Sequence, residues 1–291
     1  MRHTSAVMFK ATDSYFQGRT AILATKHGKE QAIAPVLARL GVTVVVASDF
    51  DSDRFGTFSR EIPRCGTQEE AALAKAEAVL TQTEADLVVA SEGSFGPHPQ
   101  FPMLPSDREL ILLVDRRHDL VLRGEVLSLE TNFNHATVSH LEEALAFGAR
   151  VGFPSHGLIA MAQADPLPNT PIFKGIQSEE QLQRAIASLQ TDRPTIHLET
   201  DMRAHMNPTR MQVIAQAAAD LVQAMAQGCP QCGWPGFVAC EKLLGLPCER
   251  CGAPTSAIKA SRYRCQRCLH QLTVPVPEAV ADPSQCYFCN P

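Results

Sequence analysis

At 291 residues the chain is long enough for one large domain with a small appendage, and too long for a single minimal core. An apolar fraction of 45% and a formal charge of −5 exclude a uniformly basic nucleic-acid binder, though not a local basic patch. No apolar run approaches the roughly 20 residues of a membrane span, and Met1 to Lys10 lack the apolar stretch of a signal peptide, so a cytoplasmic protein without a membrane partner is expected.

Residues 1–19 are weakly patterned and lead into Thr20–Ala24, the first expected strand. The short basic loop Thr25-Lys26-His27-Gly28-Lys29 feeds a helix with Ile33, Val36, Leu37 and Leu40 on its apolar side, which Pro35 either kinks or delays. Gly41 ends that helix, and Val42 to Ala47 reads as a second buried strand. Ser48 to Arg64 is polar and holds Asp49, Asp51, Asp53 and Glu61; its length suits a functional loop better than a connector.

Thr67 with Glu70 is a capping box, followed by Ala72, Leu73, Ala76, Val79 and Leu80 at helical spacing. Asp86 to Ala90 has the composition of a strand covered on both faces, and Ser91 to His98 reads as a loop at its carboxyl end. A carboxylate, hydroxyls, an imidazole and glycines there suggest a site. Glu109–Val114 and Leu120–Val126, flanking residues 115–119, predict a β-hairpin.

In the second half, Ser139 with Glu142 and Ser178 with Gln181 mark two more helix starts. Gly157–Met161 and Thr195–Leu198 read as short strands, with a loop at 167–171. Asn207 before Pro208 opens a helix whose inner stripe is Met211, Ile214, Ala215, Ala218, Leu221, Val222 and Met225. Residues 1–227 are thus expected to form an α/β domain, a mixed twisted sheet with helices on both faces. Composition changes at Gly228, where a separate module, 228–291, begins.

Nine of the ten cysteines lie from Cys229 onward. Cys229/Cys232, Cys248/Cys251, Cys265/Cys268 and Cys286/Cys289 are Cys-x-x-Cys pairs, each able to turn two thiolates onto one ion, so four pairs predict two structural Zn²⁺ sites. Residues 258–264 read as a ribbon hairpin between the middle pairs, which favours a nested arrangement; sequential pairing stays open. Cys65 and Cys240 read as plain thiols. Lys259, Arg262, Arg264 and Arg267 with Tyr263 form either a nucleic-acid face or a solvated edge.

The segments 50–58, 90–98 and 199–211 resemble those of a bacterial family of unknown function that joins an α/β domain to a Cys-rich tail. More remotely, Ala24-Thr25 with Lys29, Gly66-Thr67 with the helix through Lys75, and a strand ending in Glu92 are similar to the first half of the inosine-triphosphate pyrophosphatase superfamily. That resemblance implies phosphate contacts from Thr25, Lys29 and Lys75, and a metal-binding acid at Glu92. The superfamily's aromatic base-binding segment and its Ser-His-Arg unit have no clear counterpart.

Hydrolysis of a phosphoanhydride needs charge neutralisation, cationic clamps and an activated water. Glu92 with Asp53 or Glu61 is the expected Mg²⁺ pair. Lys29 and Lys75 would contact phosphates, Arg203 and Arg210 would clamp them, Ser94 would add a hydroxyl, and His98 or His205 would carry a proton. The plainer readings are that Lys75 is solvated, that the loop aspartates cap turns, and that His156 and His197 belong to the core or an edge. Two functions follow: a Mg²⁺-dependent nucleotide pyrophosphohydrolase acting on a phosphorylated nucleotide, or a non-catalytic adaptor whose zinc module binds nucleic acid or protein.

Overall fold

The computed structural model describes residues 15–48, 50–56, 62–165, 170–190 and 194–291. Two compact units result, Phe16–Val222 and Gln223–Pro291, the second including Tyr15. Glu61 and most of the expected 167–171 loop lie outside the described residues.

The first unit contains a five-stranded sheet in the order β2-β1-β3-β4-β5, with β1 Thr20–Ala24, β2 Thr43–Val46, β3 Leu87–Pro97, β4 Pro105–Asp115 and β5 Leu120–Ser128. β1 runs parallel to β2 and β3, while β3, β4 and β5 form an antiparallel meander. Parallel neighbours need crossovers, supplied by α1, Glu30–Leu37, and α2, Gln68–Gln82. Pro35 sits inside α1, which tightens into a 3₁₀ turn at Ala38–Leu40 and stops at Gly41 with φ +71°. The Thr67/Glu70 capping box forms as expected.

Alternation sorts β3 and β4 onto two faces. Val88, Ala90, Leu110, Leu112 and Val114 pack with Ala72, Ala76, Val79 and Leu80 of α2. On the other face lies α5, Pro208–Ala226, which approaches so closely that a Cβ on Gly124 of β5 would overlap the backbone at Ala217 and Leu221. Asn207 Oδ1 accepts from Arg210 N–H at 3.0 Å and caps this helix.

Three expectations change. Ser91 to Pro97 is not a loop but continues β3, paired with β4 from Leu87↔Asp115 to Pro97↔Pro105. Its glycines allow close approach to other groups where a turn was expected. β2 is an edge strand rather than a buried one, with Val45 and Val46 46% and 39% exposed, and Leu73 leaves the apolar stripe of α2. The helix expected from Ser139 is capped one residue later, by His140 Nδ1 accepting from Glu143 N–H.

The second half of this unit does not extend the mixed sheet. It builds a separate antiparallel sheet, β6-β9-β7-β8, from β6 His135–Val138, β7 Leu158–Met161, β8 Ile172–Ile176 and β9 Ile196–Thr200. α3, Leu141–Val151, and α4, Glu179–Leu189, cover one face through Phe147, Leu182, Ile186, Leu158, Ala160 and Leu198. β6 and β8 are four and five residues long and half exposed, too short for a periodicity signal.

In the Gln223–Pro291 unit, β10 Ala239–Leu244, β11 Ile258–Arg264 and β12 Gln271–Pro275 form an antiparallel meander. Among the described residues no helix is long and apolar enough to cross a membrane.

Candidate functional site

In the Phe16–Val222 unit a cavity of about 180 Å³ opens where β1 and β3 approach the second sheet. Its wall includes Thr25, His27 and Lys29 after β1, Asp53 and Arg64 from the acidic segment, Lys75 of α2, Ser91 and Glu92 of β3, and Ile159, Lys174 and Arg203 from the other half. Among the described residues five of those that line it are Lys or Arg and two are carboxylates. Asp201 stands behind Arg203, accepting from Nε at 3.0 Å and from Nη2 at 2.6 Å. Among the described residues, Lys and Arg side chains here still outnumber acids when Asp201 is counted, in a chain whose overall charge is negative.

The alternation of β3 distributes these groups. Glu92 points to the α2 face, where Lys75 Nζ is 2.5 Å from Oε1 and Arg64 Nη2 is 3.9 Å from Oε2. Ser91 points to the other face, where Lys29 Nζ donates to its Oγ at 2.9 Å. The side chain of Gln68 donates to the carbonyls of Glu92 and Arg108, 2.7 Å each, and pins the strand pair. Lys75 is therefore buried and paired, not solvated.

Burial sets the electrostatics. Lys29 is lowered to about 7, mainly by desolvation and further by Arg210, against the pull of Glu109. His27 is lowered to about 4, again by burial, although Asp53 accepts from its ring at 3.0 Å and favours the charged form. Burial thus favours the neutral imidazole of His27 and weakens the hold of Lys29 on its proton.

Behind Lys29 on the same face Arg210, expected as a phosphate clamp, is held in a group with Glu109 and Asp107, which local sequence patterns did not single out. Arg210 Nε donates to Glu109 Oε1 at 2.7 Å with both side chains fully buried, and Arg210 also donates to the Met202 carbonyl. Asp107, two residues before Glu109 and so on the same side of β4, is fully buried. Burial, and secondarily Glu109, push its carboxyl up to about 8. A Cβ on Gly93 would stand 2.5 Å from Glu109 Oε1 and overlap Arg210 Nη2, so only glycine fits opposite Glu109.

The expected residues divide accordingly. Thr25, Lys29, Asp53, Lys75, Glu92 and Arg203 share the cavity wall. Ser94 lies farther along β3, opposite Arg108. Arg210 stays in its ion pair with Glu109. His98 Nδ1 accepts from the N–H groups of Gln100 and Phe101, 3.2 Å each, and shapes the β3–β4 turn. His205 is exposed and stacks on His27 at 5.3 Å between centroids. His27, Arg64, Ser91 and Lys174 join the wall unforeseen. Of the two described acids expected to bind Mg²⁺, Glu92 is against Lys75 and Asp53 accepts from His27 and from Lys26 Nζ.

The cysteine centres differ from both expected pairings. Cys229, Cys232, Cys265 and Cys268 form one group, and Cys248, Cys251, Cys286 and Cys289 the other, with all sulfurs in each within 4.8 Å. Sγ–Sγ distances of 3.6 to 3.9 Å between sulfurs of different pairs match the roughly 3.8 Å edge of a tetrahedron with 2.3 Å Zn–S bonds. The four thiols of each group thus suit one Zn²⁺.

The meander dictates this crossing. β11 is one straight strand of seven residues, about 20 Å long, where a hairpin was expected, so the pairs at its two ends cannot share an ion. β10 separates the first two pairs likewise. The first and third pairs lie at one end of the meander and the second and fourth at the other. The turns are alike: Cys229 N–H and Cys248 N–H bond to the carbonyls of Trp234 and Ala253, with Gly233 and Gly252 at φ +71°. Leu269 fills the corresponding place in the third turn at φ +60°.

Tyr263 is buried and stacked on Phe237 at 5.6 Å, and Arg262 is paired with Glu241 at 2.6 Å. The aromatics this unit exposes are instead Tyr287 and Phe288, 79% and 72% accessible.

The chain belongs to the family described as Domain of unknown function (DUF6671), which matches residues 75–291. The match takes in Lys75, Glu92, Asp107, Glu109, Arg210 and all eight clustered cysteines, while Thr25, His27, Lys29, Asp53 and Arg64 precede it. No curated protein and no solved structure matches the chain.

Proposed function

We propose that this member of the DUF6671 family binds a phosphorylated ligand, a nucleotide in the first instance, in the cavity walled by Lys29, Lys75, Glu92 and Arg203, and hydrolyses a phosphoanhydride there. The observation that carries this reading is the excess of cations around a concave, partly buried space, which is the electrostatic requirement of a polyphosphate. Lys29, Arg64 and Lys174 supply the neutralising charge, a role the remote likeness to inosine-triphosphate pyrophosphatases assigns partly to Mg²⁺. Among the described residues the lining contains no Phe, Tyr or Trp, and recognition in this proposal rests on phosphate. Two structural Zn²⁺ ions and a cytoplasmic location complete the proposal.

The test is a panel of nucleoside triphosphates, with and without Mg²⁺, assayed for phosphate and pyrophosphate release and for binding by calorimetry. Binding of at least one, weakened tenfold or more by Lys29→Met and Lys174→Met, is the expected result. No binding by the unaltered protein refutes it.

The exposed pair Tyr287–Phe288 favours a second reading, in which the zinc unit docks a protein or nucleic-acid partner. A pull-down that depends on Tyr287 and Phe288 and ignores Lys29→Met would support it.

A further inference from the structure

We propose that His27, oriented by Asp53, is the general base of this cavity and activates the water that attacks phosphorus. The inference rests on the phosphate reading above and adds a catalytic residue to it. His27 lines the cavity beside Thr25 and Lys29, and its side chain is only 16% exposed. Asp53 Oδ1 lies 3.0 Å from Nε2, so a proton on Nε2 leaves Nδ1 as the free base. Among the described residues Nδ1 has no hydrogen-bond partner. Asp53 is itself held by Lys26 Nζ at 3.4 Å, and the ring is braced by His205 at 5.3 Å.

This is the arrangement general-base catalysis needs: a neutral imidazole, a carboxylate that sets its tautomer and stabilises the imidazolium, and cations a short distance away. Those cations are Lys29, Lys75 and Arg64. In the step, Nδ1 takes one proton from water as the water oxygen bonds to phosphorus. The bridging P–O bond breaks, its electron pair leaves with the departing phosphate oxygen, and Lys75 and Arg64 compensate that charge. The imidazolium then returns its proton to solvent. The groups facing His27 are Asp53, which favours its charged form, and Lys29 and His205, which oppose it.

A purely structural His27 would brace the loop after β1 and do nothing else, and the experiment separates the two roles. Inosine triphosphate, adenosine triphosphate and inorganic pyrophosphate are the probes for turnover, and sulfate is the probe for anion binding. His27→Phe keeps a ring against His205 but no proton acceptor; His27→Gln keeps a donor for Asp53. Both are expected to lower kcat by about 10²- to 10⁴-fold with sulfate binding changed by less than twofold. Asp53→Asn, a positioning change, should lower kcat less and move the acid limb of the pH–rate profile downward.

Unchanged turnover in His27→Phe overturns the proposal, as does a parallel loss of sulfate binding. The unaltered protein provides a check that needs no variant: a solvent deuterium isotope effect of unity on a chemistry-limited kcat, established in single turnovers, also overturns it. Sulfate binding without turnover of any probe would sink the general base and leave the anion site standing. Absence of both would sink the phosphate reading as well.

Discussion

Lys75 Nζ and Glu92 Oε1 meet at 2.5 Å between α2 and β3, with both side chains less than 10% exposed. Each charge is tolerated in that position because the other is there. Glu92→Gln leaves a buried ammonium facing Arg64 and is expected to cost about 3–5 kcal/mol, measured by denaturant unfolding. Lys75→Met combined with Glu92→Gln should cost less than the sum of the single changes, by about 1–3 kcal/mol of coupling.

Asp107 gives a pH signature. Its folded carboxyl is raised from an ordinary value near 4 to about 8 by burial. Between those values the folded state keeps a proton that the unfolded state has lost, so this group makes stability fall as pH rises through the window. Asp107→Asn removes that linkage. By calorimetry its Tm relative to the unaltered protein should climb from pH 4 to pH 8 and then level off.

Anion binding should carry a pH marker of its own. Lys29 is lowered to about 7, so above that pH the free protein must take up a proton to present a cation. Sulfate, which does not itself titrate there, should bind more weakly as pH rises past 7, by up to roughly tenfold per unit. Calorimetry in buffers of different ionisation enthalpy reads the proton uptake directly, and Lys29→Met should abolish it.

Metal content can prove the crossed cysteine pairing. Cys232→Ser with Cys268→Ser touches one centre and should leave one zinc per chain. Cys232→Ser with Cys251→Ser touches both and should leave none. Nested or sequential pairing would give a different pattern, so the stoichiometry of three or four such doubles decides among them.

Leu269 occupies a left-handed backbone position that two sister turns give to glycine, and its side chain is 58% exposed. Leu269→Gly should relieve that strain and stabilise the Gln223–Pro291 unit by about 1 kcal/mol, seen as slower zinc loss to a chelator.

What could be read in advance was local. The Thr67/Glu70 capping box, Asn207 before Pro208, the hairpin around Asp119 and the Cys-x-x-Cys spacing are all written within a few residues, and each appears as expected. What could not be read depends on distance. Arg210 and Glu109 are 101 residues apart in sequence, and only the fold makes them one group. Gly93 and Gly96 looked like turn residues because glycine signals a turn and a close backbone approach equally well. The cysteine crossing was missed for one reason, that residues 258–264 run straight instead of folding back.

That crossing also means that the small unit is indivisible. A break anywhere between Cys232 and Cys286 strands two thiols from their partners at one ion or at both, so no fragment pair can each keep a complete centre. The two cysteine groups are interlocked like two buttons threaded by one cord, and half-length fingers cut from this segment should not hold a shape of their own.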